Sequence, residues 1–143
     1  MTIAALLHGR GESSIIRATP DMSVSDVLAM LADKRIGAVP IIENEQVIGI
    51  MSERDMIYGI RAVGPGYLQS RVRDVMTTPV ITVTSNTSPL EALAMMTRRR
   101  IRHLPVVDEG VLVGFVSIGD LVKARMERIE EEAAALREYI QMS

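Results

Sequence analysis

The chain has 143 residues, 48% of them apolar, and a formal net charge of −2. That length suits one compact domain or two small halves sharing a core, and that charge gives no global attraction to nucleic acid or anionic membrane. The absence of cysteine excludes disulfides, thiolate metal sites and cysteine nucleophiles, and with one Phe, three Tyr and no Trp the core is left to aliphatic residues and adaptable Met.

Met1 to Leu7 holds too short an apolar run for a signal peptide and has no basic leader. No stretch reaches the ~20 apolar residues that span a bilayer, so a soluble cytoplasmic protein is expected. Gly9-Arg10-Gly11 lacks the third glycine and the preceding buried strand of a dinucleotide fingerprint; its functional reading is a contact to a ligand's distal phosphate or ribose. Ile15 to Ala18 reads as a short strand. Ser23 then caps a helix in which Val24, Val27, Leu28 and Leu31 fall at helical spacing. Two strands follow, Ala38 to Ile42 and Val47 to Met51, split by the hairpin turn Glu43-Asn44-Glu45. A second helix opens at Ser52 and breaks at Gly64-Pro65-Gly66.

The pattern then starts again, about 65 residues on. Val80 to Val83 repeats the short strand, and Ser88-Pro89-Leu90-Glu91 is a capping-box sequence with Pro at the first helical position. His103 to Val107 and Leu112 to Val116 flank the turn Asp108-Glu109-Gly110, and a helix opens at Ser117. The predicted fold is α/β: two β-α-β-β-α units related by a pseudo-two-fold. Residues 1–63 form the first repeat with a short N-terminal helix, 64–78 the linker, 79–125 the second repeat and 126–143 a helical extension. Half a chain of this size buries too little surface to be robust alone, so the units are expected to pack face to face and leave two related clefts.

Gly49-Ile50-Met51-Ser52-Glu53-Arg54-Asp55 and its echo Gly114-Phe115-Val116-Ser117-Ile118-Gly119-Asp120 carry the strongest chemical signal. The glycine allows close backbone approach. The strand then enters a helix whose first N–H groups attract anions. A Ser there can donate to a ligand oxygen, and an Asp three residues later can accept from a ribose diol. Ser-x-x-Asp reads equally as a helix cap.

Pro40 with Gly49 and Ser52 to Asp55, the run Arg102-His103-Leu104-Pro105-Val106-Val107-Asp108 through Asp120, and Val75-Met76-Thr77 ahead of Val80 together resemble a tandem pair of cystathionine-β-synthase (CBS) domains over nearly the whole chain. The resemblance is strongest to small bacterial stand-alone CBS-pair proteins and their plant organellar relatives. It implies a Bateman-type regulatory module, not an enzyme, binding AMP, ADP, ATP, NAD(H) or S-adenosylmethionine between the repeats, with no catalytic cofactor. By the same resemblance Ser52 and Asp55 hold ribose in one cleft, and Ser117 and Asp120 in the other. Ile16, Arg17 and Thr19, and their counterparts Ile81, Thr82 and Thr84, line adenine with backbone groups. Arg102 and His103 turn toward phosphate, with Pro105 beside them and Arg54 as a third cation. In the first repeat the basic pair is replaced by Gly37 and Ala38, which implies unequal clefts.

Arg98 to His103 carries no interleaved aromatics for base stacking, so a solvated helix end is expected rather than a nucleic-acid interface. His8 and His103 are too isolated for a metal site. From Asp120 to about Gln141 one long helix is expected. Its Val122, Met126, Ile129, Ala133, Leu136 and Ile140 form a heptad seam that either folds back on its own domain or packs across a homodimer. The partner protein that such a module would regulate is not named by any feature, and a ligand-free dimerisation scaffold is the alternative function. An enzyme of the IMP dehydrogenase type, which carries such a pair as an insert, would need a barrel and a cysteine nucleophile that this chain lacks.

Overall fold

The computed structural model describes residues 1–10 and 15–142. In chain order it holds α1 (Ile3–Leu7), α2 (Val24–Lys34), β1 (Ala38–Glu43), β2 (Gln46–Ser52), α3 (Glu53–Val63), a 3-10 turn (Pro65–Gln69), α4 (Val72–Val75), α5 (Pro89–Arg99), β3 (His103–Asp108), β4 (Val111–Ser117) and α6 (Ile118–Met142). Two β-α-β-β-α repeats succeed one another, and α6 extends well beyond the second.

The opening strand of each repeat is reduced to a single parallel bridge, Ala18 to Ile41 and Val83 to Val106. Ala18 donates its N–H to the Pro40 carbonyl (3.1 Å) and accepts from Ile42 (2.8 Å); Val83 does the same with Pro105 and Val107. The next bond along each ladder would need an N–H at Pro40 or Pro105, and proline has none. The two hairpins form as the turn residues predict. Asn44 and Glu45 have φ of 52° and 66°, and Glu109 and Gly110 50° and 81°, the positive pair that matches strand twist across a two-residue connection.

Helix starts follow their caps. Ser23 Oγ accepts from Asp26 N–H (3.1 Å), and Asp26 Oδ2 accepts from Ser23 N–H (3.3 Å). At α5 only the serine half of the expected box forms, Glu91 N–H donating to Ser88 Oγ at 3.1 Å. Each of α2 and α5 ends on an arginine in left-handed conformation, Arg35 and Arg100.

Two aliphatic cores result, one per repeat. Ala18, Val27, Leu31, Val39, Ile41, Met51 and Met56 in the first are matched by Val83, Ala92, Met96, Leu104, Val106, Val116 and Leu121 in the second. The segments before each repeat are exchanged. Ile3 of α1, fully buried, belongs to the second core, while Val72 of α4 and Tyr67 of the 3-10 turn belong to the first. Backbone bonds fasten the exchange: Ile3 and Ala4 donate to Thr87 and Ser85, and Val72 and Arg73 donate to Met22 and Pro20. The N-terminal helix thus serves the second repeat rather than the first, and most of the expected linker is structural.

Within α6 only Leu121 and Ala124 are buried, and every residue from Arg125 to Met142 is exposed. The long helix therefore leaves its own domain, and the fold-back arrangement of its seam does not occur.

Candidate functional site

Two cavities of about 440 and 430 Å3 lie where the repeats meet. The first joins Ser52, Arg54, Asp55, Ile57 and Tyr58 of the first repeat to Thr77, Pro79, Val80, Ile81 and Arg100 to His103 of the second. The second joins Ser117, Asp120, Val113 and Phe115 to Ile15, Ile16 and Arg35 to Ala38, with Leu7 and Arg10 from the N-terminal segment. Each Ser-x-x-Asp thus faces the opening segment of the other repeat. Gly37 and His103 line both cavities and form the wall between them.

The serine and aspartate of each pair cap a helix. Asp55 Oδ2 accepts from Ser52 N–H (3.0 Å) and Ser52 Oγ–H (2.9 Å), while Asp55 N–H donates to Ser52 Oγ (3.2 Å). Asp120 Oδ2 accepts from Ser117 N–H (2.9 Å), and Asp120 N–H donates to Ser117 Oγ (3.1 Å). Capping and ligand binding are therefore compatible: the bonds fall on Oδ2 and fix the carboxylate, and none falls on Oδ1. In the second cavity Asp120 Oδ1 faces Arg10 at 3.7 Å, both side chains being partly exposed. The Gly9-Arg10-Gly11 motif reaches the cavity through Arg10; Gly11 lies outside the described residues.

The helix starts are not the open anion sites that the sequence suggests. Glu53 N–H donates to Gly37 O and Ile118 N–H to Arg102 O, each at 2.9 Å. With Ser52 and Asp55, and Ser117 and Asp120, already donating, three of the four N–H groups at each start are satisfied inside the protein. The acidic box makes these ends acceptors for hydroxyls, and a phosphate has to find its donors elsewhere. Gly49 and Gly114 also differ from expectation. A Cβ at Gly49 would overlap Met76, and one at Gly114 would lie 2.6 Å from Leu7 Cδ1. Their bareness makes sockets for the exchanged segments, not for a ligand.

Cations gather in the first cavity. Arg54, Arg100 and Arg102 line it, and the Arg54 guanidinium donates to the Arg100 carbonyl at 3.5 Å. His103 stacks on Phe115 with ring centroids 5.7 Å apart and rests on Gly37. Burial lowers its pKa from the ordinary value; Glu53 and Asp120 oppose that shift, and Arg102 adds to it. Burial thus favours the uncharged ring.

Of the residues named from sequence, Ser52, Arg54, Asp55, Ile81, Arg102 and His103 meet in the first cavity, and Ile16, His103, Ser117 and Asp120 in the second. Arg17, Thr19, Thr82, Thr84 and Pro105 line neither. In the bridging segments Ala18 and Val83 point into the cores, leaving their neighbours Arg17, Thr19, Thr82 and Thr84 exposed; Pro105 is buried within its hairpin opposite Phe115. Sequence reasoning missed Tyr58, Arg100 and Arg35. Tyr58 sits one helical turn after Arg54, a spacing that shares a helix face; the two arginines are the left-handed caps of α5 and α2.

No group of His, Asp or Glu among the described residues can hold a metal ion. The CBS-domain family matches the chain at residues 12–62 and 72–127. The relative "CBS domain-containing protein CBSX3, mitochondrial" from Arabidopsis thaliana is 35% identical over 98% of this chain and 72% of its own length. The solved CBS-domain containing protein ATU1752 from Agrobacterium tumefaciens superposes with a TM-score of 0.82 at 34% identity, covering 87% of this chain and 99% of that one. CBSX2, solved in complex with AMP, shares the fold with a TM-score of 0.75 at 24% identity, over 88% of this chain and 96% of its own. Such modules are a non-catalytic, regulatory fold. With its doubled unit and both repeats matched, this chain belongs to the CBS-domain family, as a tandem pair.

Proposed function

We propose that the chain is a cytoplasmic regulatory module that binds an adenine nucleotide of the AMP, ATP or NAD(H) type in its clefts and passes occupancy to a partner protein. One observation carries the reading. In each cavity a carboxylate locked by its cap, with Oδ1 outside the capping bonds, faces an apolar wall from the other repeat: Ile81 and Ile101 in the first, Ile16 and Ile36 in the second. A flat apolar base and a ribose diol need that combination. The AMP complex of CBSX2, a protein of the same fold, supports the ligand class. The shared wall of Gly37 and His103 supports a sensing role, because a ligand moving it in one cavity alters the other, and differential affinity for the two arrangements shifts the equilibrium.

A thermal-shift panel of AMP, ADP, ATP, NAD⁺, NADH, S-adenosylmethionine and GTP tests the reading. Stabilisation of about 2.7 kcal/mol is expected at a hundred times the dissociation constant, confined to adenine compounds. Asp55→Ala and Asp120→Ala should each weaken one site by about 1–3 kcal/mol, the cost of losing hydrogen bonds to the diol. A flat response at millimolar ligand would leave a ligand-free scaffold as the function.

The same proposal includes a homodimer. Met126, Ile129 and Leu136 of the α6 seam are 57%, 48% and 59% exposed, a sustained apolar stripe at coiled-coil spacing. Light scattering should give twice the chain mass, falling to one chain on Ile129→Glu with Leu136→Glu. A monomeric mass for the unsubstituted protein would remove the partner copy.

A further inference from the structure

The two cavities have nearly equal volume and the same fold around them, yet their free cations differ. In the first, Arg54, Arg100 and Arg102 all line the space, and among the described residues none has a carboxylate within ion-pair distance. Of the cavity's own carboxylates, Asp55 is held through Oδ2 by its cap, and Glu53 lies next to Gly37 and His103. In the second, the repeat puts Gly119 in the place of Arg54 and Gly37 in the place of Arg102. Among the described residues lining it, Arg35, the counterpart of Arg100, is the cation with no carboxylate within ion-pair distance, since Arg10 faces Asp120. The helix starts do not make up the difference, because three of the four N–H groups at each are used internally and the fourth, at Arg54 or Gly119, is equivalent in the two cavities.

We propose that the first cavity selects nucleoside polyphosphates, with Arg54, Arg100 and Arg102 as the specificity-determining residues, while the second accepts a nucleotide with little regard to phosphate number. This deepens the nucleotide-binding reading and rests on it. Three guanidiniums without carboxylate partners at one site repel one another, and a chain of phosphates relieves that repulsion. Each guanidinium offers the planar fork that binds phosphate oxygens in pairs. One guanidinium gives a lengthening phosphate chain almost nothing to gain beyond the first group.

Isothermal titration of the full chain with AMP, ADP and ATP tests the assignment. At the tighter site the dissociation constant is expected to fall about tenfold or more from AMP to ATP, the scale of a charge-assisted hydrogen-bond pair, and the difference to shrink in high salt. Arg54→Gln with Arg102→Gln should bring ATP to within a few-fold of AMP, whereas Arg35→Gln should leave the ratio in place. Equal affinities for AMP and ATP in the unsubstituted protein, or a preference that survives the double substitution, overturn the proposal while nucleotide binding stands. Inorganic tripolyphosphate binding as tightly as ATP overturns it too, by making the arginines a general polyanion patch. If neither AMP nor ATP binds at all, the underlying reading fails as well.

Discussion

Replacing Ile3 with Ala is expected to destabilise the protein by about 2–5 kcal/mol, the range for emptying a fully buried aliphatic position. Ile3 is 0% exposed in the second core, beside Val83, Leu104 and Val106. The size of the effect distinguishes the exchanged arrangement from a frayed N-terminus, where a substitution stays within about ±0.5 kcal/mol. Urea titration followed by circular dichroism measures it, with Leu136→Ala in the exposed part of α6 as the reference. A cost below about 1 kcal/mol would mean that α1 does not hold the second repeat in solution. Because Leu7 fills the Gly114 socket and Arg10 reaches Asp120, loosening α1 should also weaken the second cavity more than the first.

Gly59→Ala is expected to lower stability by about 1–3 kcal/mol, the cost of overpacking, although the same change in an exposed helix gains up to ~1 kcal/mol. A Cβ at Gly59 would lie 2.2 Å from Tyr67 Cζ, overlapping the ring. That ring is 5% exposed and part of the first core. A rigid aromatic ring cannot give way as a flexible chain end does, so Tyr67 would have to leave its place. Its hydroxyl also donates to the Asp55 carbonyl at 3.5 Å, so the displacement reaches the start of α3 and the first cavity. A double-mutant cycle isolates the clash: in a Tyr67→Ala background, Gly59→Ala should become neutral or stabilising. An equal cost in both backgrounds would assign the loss to something other than the ring.

The repeat, the helices, the hairpins and the caps were legible in the chain because each rests on neighbours within a few residues. Ser23 and Ser52 stand directly before helical spacing, and Asn44-Glu45 and Glu109-Gly110 are two-residue turns whose conformations the structure bears out. The Ser-x-x-Asp pairs were legible too, and their capping role proved real.

What the tertiary structure alone decided are the contacts between distant segments, which leave no period to read. Gly49 and Gly114 look like ligand approaches until Met76 and Leu7 are seen seated against them. The helix-start N–H groups look free until Gly37 and Arg102 turn their carbonyls toward them. The exchange of α1 and α4 between the repeats could not be read because each buries a single side chain, Ile3 or Val72, too little for a pattern. It was also packing that brought Arg100 beside Arg54 and Arg102, three cations scattered over 49 positions of sequence. Local chemistry shapes each unit here, and the pseudo-two-fold packing of the units makes the cavities and gives them different charge.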